Sequence, residues 1–204
     1  LQWIEAVDAS SDFFSWVDGN QVIGASNTFF EVRDVSSGKL LWNFTDLWSP
    51  EYGAVAVGGS YIAAARRLSS TGKGSIIILD RTTGSVVTTV VLSEADTANK
   101  HPMIFWLEDD FVMYYTATEM AKIALPSTKV LWSVKLNFYP VLYGLGQPFI
   151  YLHTETKLYS YNFTTGEPLS VMDLSGQVGY DGKTFDRIDH LWGFNNFACL
   201  GVLQ

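Results

Sequence analysis

Three histidines, His101, His153 and His190, are the side chains in this chain best suited to bind a metal or move a proton near neutral pH. They lie far apart and lack the paired spacing of a metal site, so a turn or core position is expected for each. Asp186-Arg187-Ile188-Asp189-His190 sets two carboxylates beside an imidazole. In a loop ahead of a strand, a local salt bridge accounts for that grouping as well as acid–base catalysis does. Glu108-Asp109-Asp110 reads as a solvated turn, where carboxylates are more often surface than catalytic. Gly72-Lys73-Gly74 lacks the strand–loop–helix setting and the Lys-Ser/Thr pair of a phosphate loop. Cys199 is the single cysteine, which excludes an intrachain disulfide and a cysteine metal cluster. The expectation is therefore no catalytic, cofactor-binding or metal-binding residue. What remains is modification: Asn43-Phe44-Thr45 and Asn162-Phe163-Thr164 match the N-glycosylation acceptor pattern, making Asn43 and Asn162 candidate glycan sites compatible with a secretory lumen.

The charge balance narrows the partners. A formal charge of -8 over 204 residues opposes a phosphate-binding surface, because nucleic-acid affinity comes largely from Lys and Arg displacing counterions. Nucleic acid is excluded as a partner on that ground. No apolar run approaches the roughly 20 residues that cross a bilayer, so any membrane association is expected to be indirect, through partners. Leu1 to Asp8 has neither the basic start nor the apolar centre of a signal peptide. The chain opens on Leu1 and is read as a processed product or an excised segment. With 48% hydrophobic residues it can bury a large core.

The elements that must position these residues are announced by a recurring hairpin. In Phe30-Glu31-Val32-Arg33-Asp34-Val35-Ser36-Ser37-Gly38-Lys39-Leu40-Leu41-Trp42, two β-rich runs flank a turn whose Gly38 can take positive φ and close a bulged hairpin. The device returns around Gly84 and Gly166, and in degenerate form where Thr128 stands in the glycine column. Asp34, Asp80 and Asn162 share a column four residues before the glycine, where a short polar side chain can bond turn amides. Ser37, Thr83, Ser127 and Thr165 fill the column just before it. Turns at positions 38, 84, 128 and 166 give a period of roughly forty residues, the length of a four-stranded propeller blade. Trp3, Trp42 and Trp132 recur at related positions and are expected in core or inter-blade packing.

Taken in order, residues 1–204 read as one all-β propeller segment: the last strand of one blade, four blades, and the start of a further blade. The blades use strands between Phe13 and Thr45, Ala54 and Leu92, Met103 and Leu136, and Val141 and Leu174. The start of another runs from His190 to Leu203, after a long link from Ser175 to Ile188. Either the opening strand closes a five-bladed ring, or the chain is an incomplete arc of about four to five blades from a larger propeller. The arc is preferred because the fifth blade lacks one clear strand. Helix content near zero is expected under both.

The hairpin Asp-x-x-Ser/Thr-Gly-x-hydrophobic-hydrophobic-Trp, seen from Asp34 to Trp42 and in weaker form three more times, resembles the repeat of the quinoprotein-like (PQQ-like) propellers. That superfamily includes quinone-dependent dehydrogenases, a bacterial outer-membrane assembly lipoprotein, luminal stress sensors, and the large luminal subunit of the endoplasmic reticulum membrane protein complex. The order of features is similar to the last of these. They are the Ser37-Gly38-Lys39-Leu40-Leu41-Trp42 hairpin, the blade ending Leu79 to Gly84, and the Pro102-Met103-Ile104-Phe105-Trp106 strand after a polar spacer. The resemblance implies a non-enzymatic scaffold in the endoplasmic reticulum lumen, within a membrane-protein insertion or assembly complex. Its partners would be other subunits or the remainder of its own polypeptide, met through blade faces and the loops Leu47 to Tyr52, Ser69 to Gly74 and Gly176 to Arg187. It implies no cofactor. Two alternatives go with the superfamily. One is a periplasmic quinone-dependent dehydrogenase-like enzyme, with its cofactor near Trp16, Trp106, Tyr143 and Trp192; the vicinal cysteines and a compact acidic calcium cluster are both missing here. The other is a bacterial outer-membrane assembly factor of the periplasm.

Overall fold

In a computed structural model, the structure describes residues 14–25, 30–45, 55–67, 73–95, 102–138, 140, 142–146, 148–178, 187–194 and 197–203. Among them there is no helix, and the strands fall into four four-stranded antiparallel sheets and one hairpin. Sheet 1 holds β1 (Phe14–Asp18), β2 (Gln21–Ala25), β3 (Phe30–Asp34) and β4 (Leu40–Phe44). Sheet 2 holds β5 (Val55–Gly58), β6 (Tyr61–Arg67), β7 (Lys73–Asp80) and β8 (Val86–Ala95). Sheet 3 holds β9 (Met103–Leu107), β10 (Phe111–Tyr115), β11 (Glu119–Ala124) and β12 (Val130–Lys135). Sheet 4 holds β13 (Leu142–Gly146), β14 (Phe149–His153), β15 (Lys157–Asn162) and β16 (Pro168–Asp173). The hairpin joins β17 (Arg187–Phe194) to β18 (Phe197–Leu203). Each four-stranded sheet is a meander, every strand pairing with its chain neighbours, which is the strand order of a propeller blade.

The chain divides into two compact units, residues 1–114 with 123–129, and residues 115–122 with 130–204. In the first, sheets 1 and 2 share one core: Ile23, Phe30 and Val32 meet Ile62, Ala64, Ile77 and Leu79, with Trp42, Phe44, Val55 and Val57 packed against them. Gly58 of β5 lies so close to β9 that a Cβ there would overlap the backbone of Leu107, so the first strands of sheets 2 and 3 nearly touch. In the second unit β13 packs likewise beside β17. Middle strands read as continuous apolar runs because both their faces are covered. Every residue of β10 is buried, and so is the stretch Gly74–Leu79 of β7.

The last turn of each sheet is built the same way four times. The amide of Gly38 donates to the carbonyl of Asp34, Gly84 to Asp80, Thr128 to Ala124 and Gly166 to Asn162. A second bond closes each hairpin, from the amides of Asp34, Asp80, Ala124 and Asn162 to the carbonyls of Lys39, Ser85, Lys129 and Glu167. Gly38, Gly84 and Gly166 hold φ of 71°, 71° and 74°, and Thr128 is forced to 57°. Beyond the turn the register slips by one residue in sheets 1, 2 and 4, between Val32 and Arg33, Ile78 and Leu79, and Ser160 and Tyr161. These are the expected bulged hairpins.

The glycines have a second use. Trp42 of β4 lies over the turn of sheet 2, and its Nε1–H donates to the carbonyl of Arg81 at 2.9 Å. A Cβ on Gly84 would sit 2.5 Å from the Cε3 of that indole. Trp132 of β12 lies over Gly166 of sheet 4 in the same way, with a Cβ 2.6 Å from its Cε3. Each glycine thus combines a left-handed backbone with room for a ring. Gly84→Ala and Gly166→Ala are each expected to destabilise the protein by about 2–4 kcal/mol, from left-handed strain plus displacement of the indole. Thr128→Ala, where a Cβ already exists, should change stability by less than about 0.5 kcal/mol. Urea midpoints of the three variants check the contrast.

Candidate interaction surface

Among the described residues, no group of three or more His, Cys, Asp or Glu side chains is placed to hold a metal ion. His101 lies outside the described residues, and His190 and Cys199 fall on the backbone of β17 and β18. Arg187, Ile188 and Asp189, expected in a loop, belong to β17 in register with β18, with a slip between Ile188 and His190. The irregular step conceals the strand from a simple alternation of apolar and polar residues. Asp186 lies outside the described residues, as do residues 1–13 with Trp3, and the loop Leu47 to Tyr52. Of the two other proposed contact loops, Ser69 to Gly72 and residues 179–186 also lie outside them, while Lys73 and Gly74 open β7.

His153 is fully buried on β14. Its Nδ1 is 2.7 Å from the carbonyl of Thr154, which must accept, so Nδ1 carries the proton and Nε2 is the lone-pair nitrogen. Nε2 is buried with no hydrogen-bond partner among the described residues. Burial pushes the imidazole pKa down, and the Thr154 carbonyl only partly opposes it. Trp106, placed near a cofactor in the enzyme alternative, instead donates its Nε1–H to Glu108 at 2.8 Å. Asp109 accepts the amide of Ser60 at 2.6 Å, so this member of the acidic triplet fastens a neighbouring turn.

The surfaces with most to offer are the last strands of the four sheets, each taken by itself. β4, β8, β12 and β16 each end a sheet, and no further strand pairs with them among the described residues. Their side chains are apolar where polar ones would be expected: Leu40 and Leu41 on β4, Val86, Val87 and Val91 on β8, Val130 and Leu131 on β12 are all exposed. β16 is exposed along its whole length, with Leu169, Val171 and Met172 at 48%, 59% and 55%. Each strand therefore offers a free ladder of amides and carbonyls flanked by apolar side chains, the composition that invites another chain. The sequence signal was the apolar doublet that follows each turn.

The turns entering these strands carry the local charge. Asp34 is held down at about 2 by the hydroxyls of Ser36 and Ser37, then by the Ser37 amide. Asp80 is lowered by the amide and then the hydroxyl of Thr83. At the far end of β16, Asp173 is lowered chiefly by Ser175, and Lys157 stands 3.4 Å away. Asn162 occupies the same column without charge, its Oδ1 accepting the amides of Thr164 at 2.8 Å and Thr165 at 3.0 Å.

The two sequons thus differ. Asn43 is an exposed residue of the edge strand β4, whereas Asn162 is half-buried with its amide oxygen committed to the turn. No protein-family model and no curated protein matches the chain.

Two pH effects follow, each a loss of stability on acidification but in different ranges. The unfolded chain protonates His153 near the ordinary 6.5, while the folded chain resists until lower pH. Its contribution to stability is therefore present above 6.5 and lost as pH falls below it. Urea midpoints at pH 7.5 and 5.0 should diverge in the natural chain and converge in His153→Phe. Asp34 contributes stability that is present above 3.8 and lost as pH falls through about 2. Asp34→Asn, which keeps an acceptor oxygen as Asn162 does, should preserve the Ser37 amide shift by NMR and abolish its titration in that acid range.

Proposed function

We propose that this chain is a non-enzymatic protein–protein interaction scaffold, a luminal or extracytoplasmic propeller arc within a membrane-associated complex for membrane-protein insertion or assembly. The observation that carries the reading is the set of unpaired outermost strands bearing exposed Leu40, Leu41, Val130, Leu131, Leu169 and Val171. Such edges are costly to leave bare, and strand addition by a partner satisfies their backbone groups while burying the apolar flanks. The resemblance of the Asp34-to-Trp42 hairpin to the PQQ-like repeat supports the same reading, as fold analogy only. Partners are other subunits or the rest of the same polypeptide. The exposed sequon at Asn43 supports a luminal setting, with Asn43 as the better acceptor and Asn162 the second.

The test uses two surface charges. The natural chain should purify from its cells in a stoichiometric complex, and Leu131→Lys with Val171→Lys should release it as a monomer with its urea midpoint unchanged. A natural chain that is itself a monomer, or charged variants that keep the complex, would defeat the proposal. A glycosidase-sensitive mobility shift that disappears in Asn43→Gln checks the luminal placement.

A further inference from the structure

Successive sheets in the first unit are fastened in two different ways, and the difference is written in paired columns. At the junction of sheets 1 and 2 the rim is clamped, with Trp42 over Gly84 and its Nε1–H on the Arg81 carbonyl. In the first turn of sheet 1, a Cβ on Gly19 would meet nothing within 4 Å among the described residues. At the junction of sheets 2 and 3 both halves of the rim clamp are replaced. Thr88 holds the position of the indole, opposite Ile78 and one step before the register slip, as Trp42 is opposite Val32. Thr128 holds the glycine position with φ of 57°. Ala124 replaces the carboxylate or amide that caps the other turns, so this turn also lacks the bonds that Asp34, Asp80 and Asn162 accept.

The inner turns reverse the arrangement. The carboxylate of Asp109 accepts the Ser60 amide at 2.6 Å, and it fills the space that a Cβ on Gly59 would need. Gly58 lies equally close to the Leu107 carbonyl. The face of β8 that carries Thr88 also carries Val90 and Leu92, both buried, and Leu92 and Pro102 both approach Gly74. We infer that the seam between β8 and the turn 124–129 is a hinge, pinned at the inner turn by Asp109 on Gly59–Ser60 and left free at the rim by the Thr88/Thr128 pair, so that the rim parts there without global unfolding.

Fastening near one end of a seam and not the other lets the free end separate while the pinned end keeps register. Local opening of this kind belongs to the low-stability part of a fold, and it exposes Val90 transiently. The hinge does not depend on the scaffold reading, because it concerns only contacts inside the first unit.

Thiol labelling of Val90→Cys in the full chain under native conditions tests it, with the label at position 90 separated from that at Cys199 by peptide mass. Position 90 should react at least tenfold faster than the chain unfolds globally, and Asp109→Ala should accelerate it further. Installing the clamp with Thr88→Trp and Thr128→Gly together should slow labelling about tenfold or more, beyond the product of the two single effects. Reaction only at the global unfolding rate overturns the hinge. So do single effects that multiply without coupling. Should the double variant not fold, the rate in the Val90→Cys background alone decides.

Discussion

The structure depends on a steric bargain between an indole and a hydrogen atom. Trp42 and Trp132 can lie flat across the turn of the next sheet only because Gly84 and Gly166 present no Cβ. The same residues are needed there for a separate reason, since the turn requires φ near +70°. Two constraints on one position make the glycine hard to replace and tie the hairpin of one sheet to the last strand of its predecessor. The two clamps are not identical: Trp42 donates to Arg81, whereas the buried Nε1 of Trp132 has no hydrogen-bond partner among the described residues. Arg81 strengthens the first by reaching back to Gln21 with its Nε at 2.7 Å. Near the second, Lys122 lies over the Phe163 ring at 4.7 Å.

Much of this was legible in the sequence because its causes are local. A glycine that must adopt positive φ, a polar residue four places earlier and a hydroxyl one place earlier act within six residues of chain. The structure returns each as a bond: Asp34, Asp80 and Asn162 accept turn amides, and Ser37, Thr83, Ser127 and Thr165 accept the amide two residues on. Most strand positions followed to within a residue or two because β-branched and aromatic runs break at those turns, while the end of β8 and the start of β17 each lie three residues from where the sequence places them. What escaped was non-local. Glu108-Asp109-Asp110 reads as a solvated turn in isolation, and nothing in it reveals that Asp109 will grip Ser60, 49 residues away. The apolar doublets escaped for a related reason. Whether Val130 and Leu131 face a core or water depends on whether another strand follows, which the doublet itself cannot encode.

The degenerate third turn shows how much of the hairpin resides in the backbone. Ala124 cannot cap it and Thr128 resists its left-handed φ, a cost of about 1–2 kcal/mol for a residue with a Cβ. Yet the two backbone bonds are kept, Thr128 to Ala124 and Ala124 to Lys129, and the Leu125 amide still bonds the carbonyl of Asp110 as Val35, Arg81 and Phe163 bond Asn20, Ser60 and Pro148. Neighbouring strands over-determine the turn, so side-chain signals can lapse without loss of shape. Thr128 loses its glycine at the same junction where Thr88 replaces the indole. That coincidence is what a shared steric constraint predicts: with no ring to admit, a Cβ at position 128 costs only its left-handed strain.

The same logic separates structure from function in the remaining polar residues. His153 is buried and bonded to its own neighbour's carbonyl, Trp106 is tied to Glu108, and Asp109 is spent on a turn. These three candidates have architectural occupations, and among the described residues no group of three or more His, Cys, Asp or Glu side chains is placed to hold a metal ion. The last strands of the sheets are the reverse: among the described residues no strand covers their free edges, and their apolar side chains are exposed. Groups that cost stability by being exposed, and that recur on β4, β8, β12 and β16, are where selection for an external partner would leave its mark.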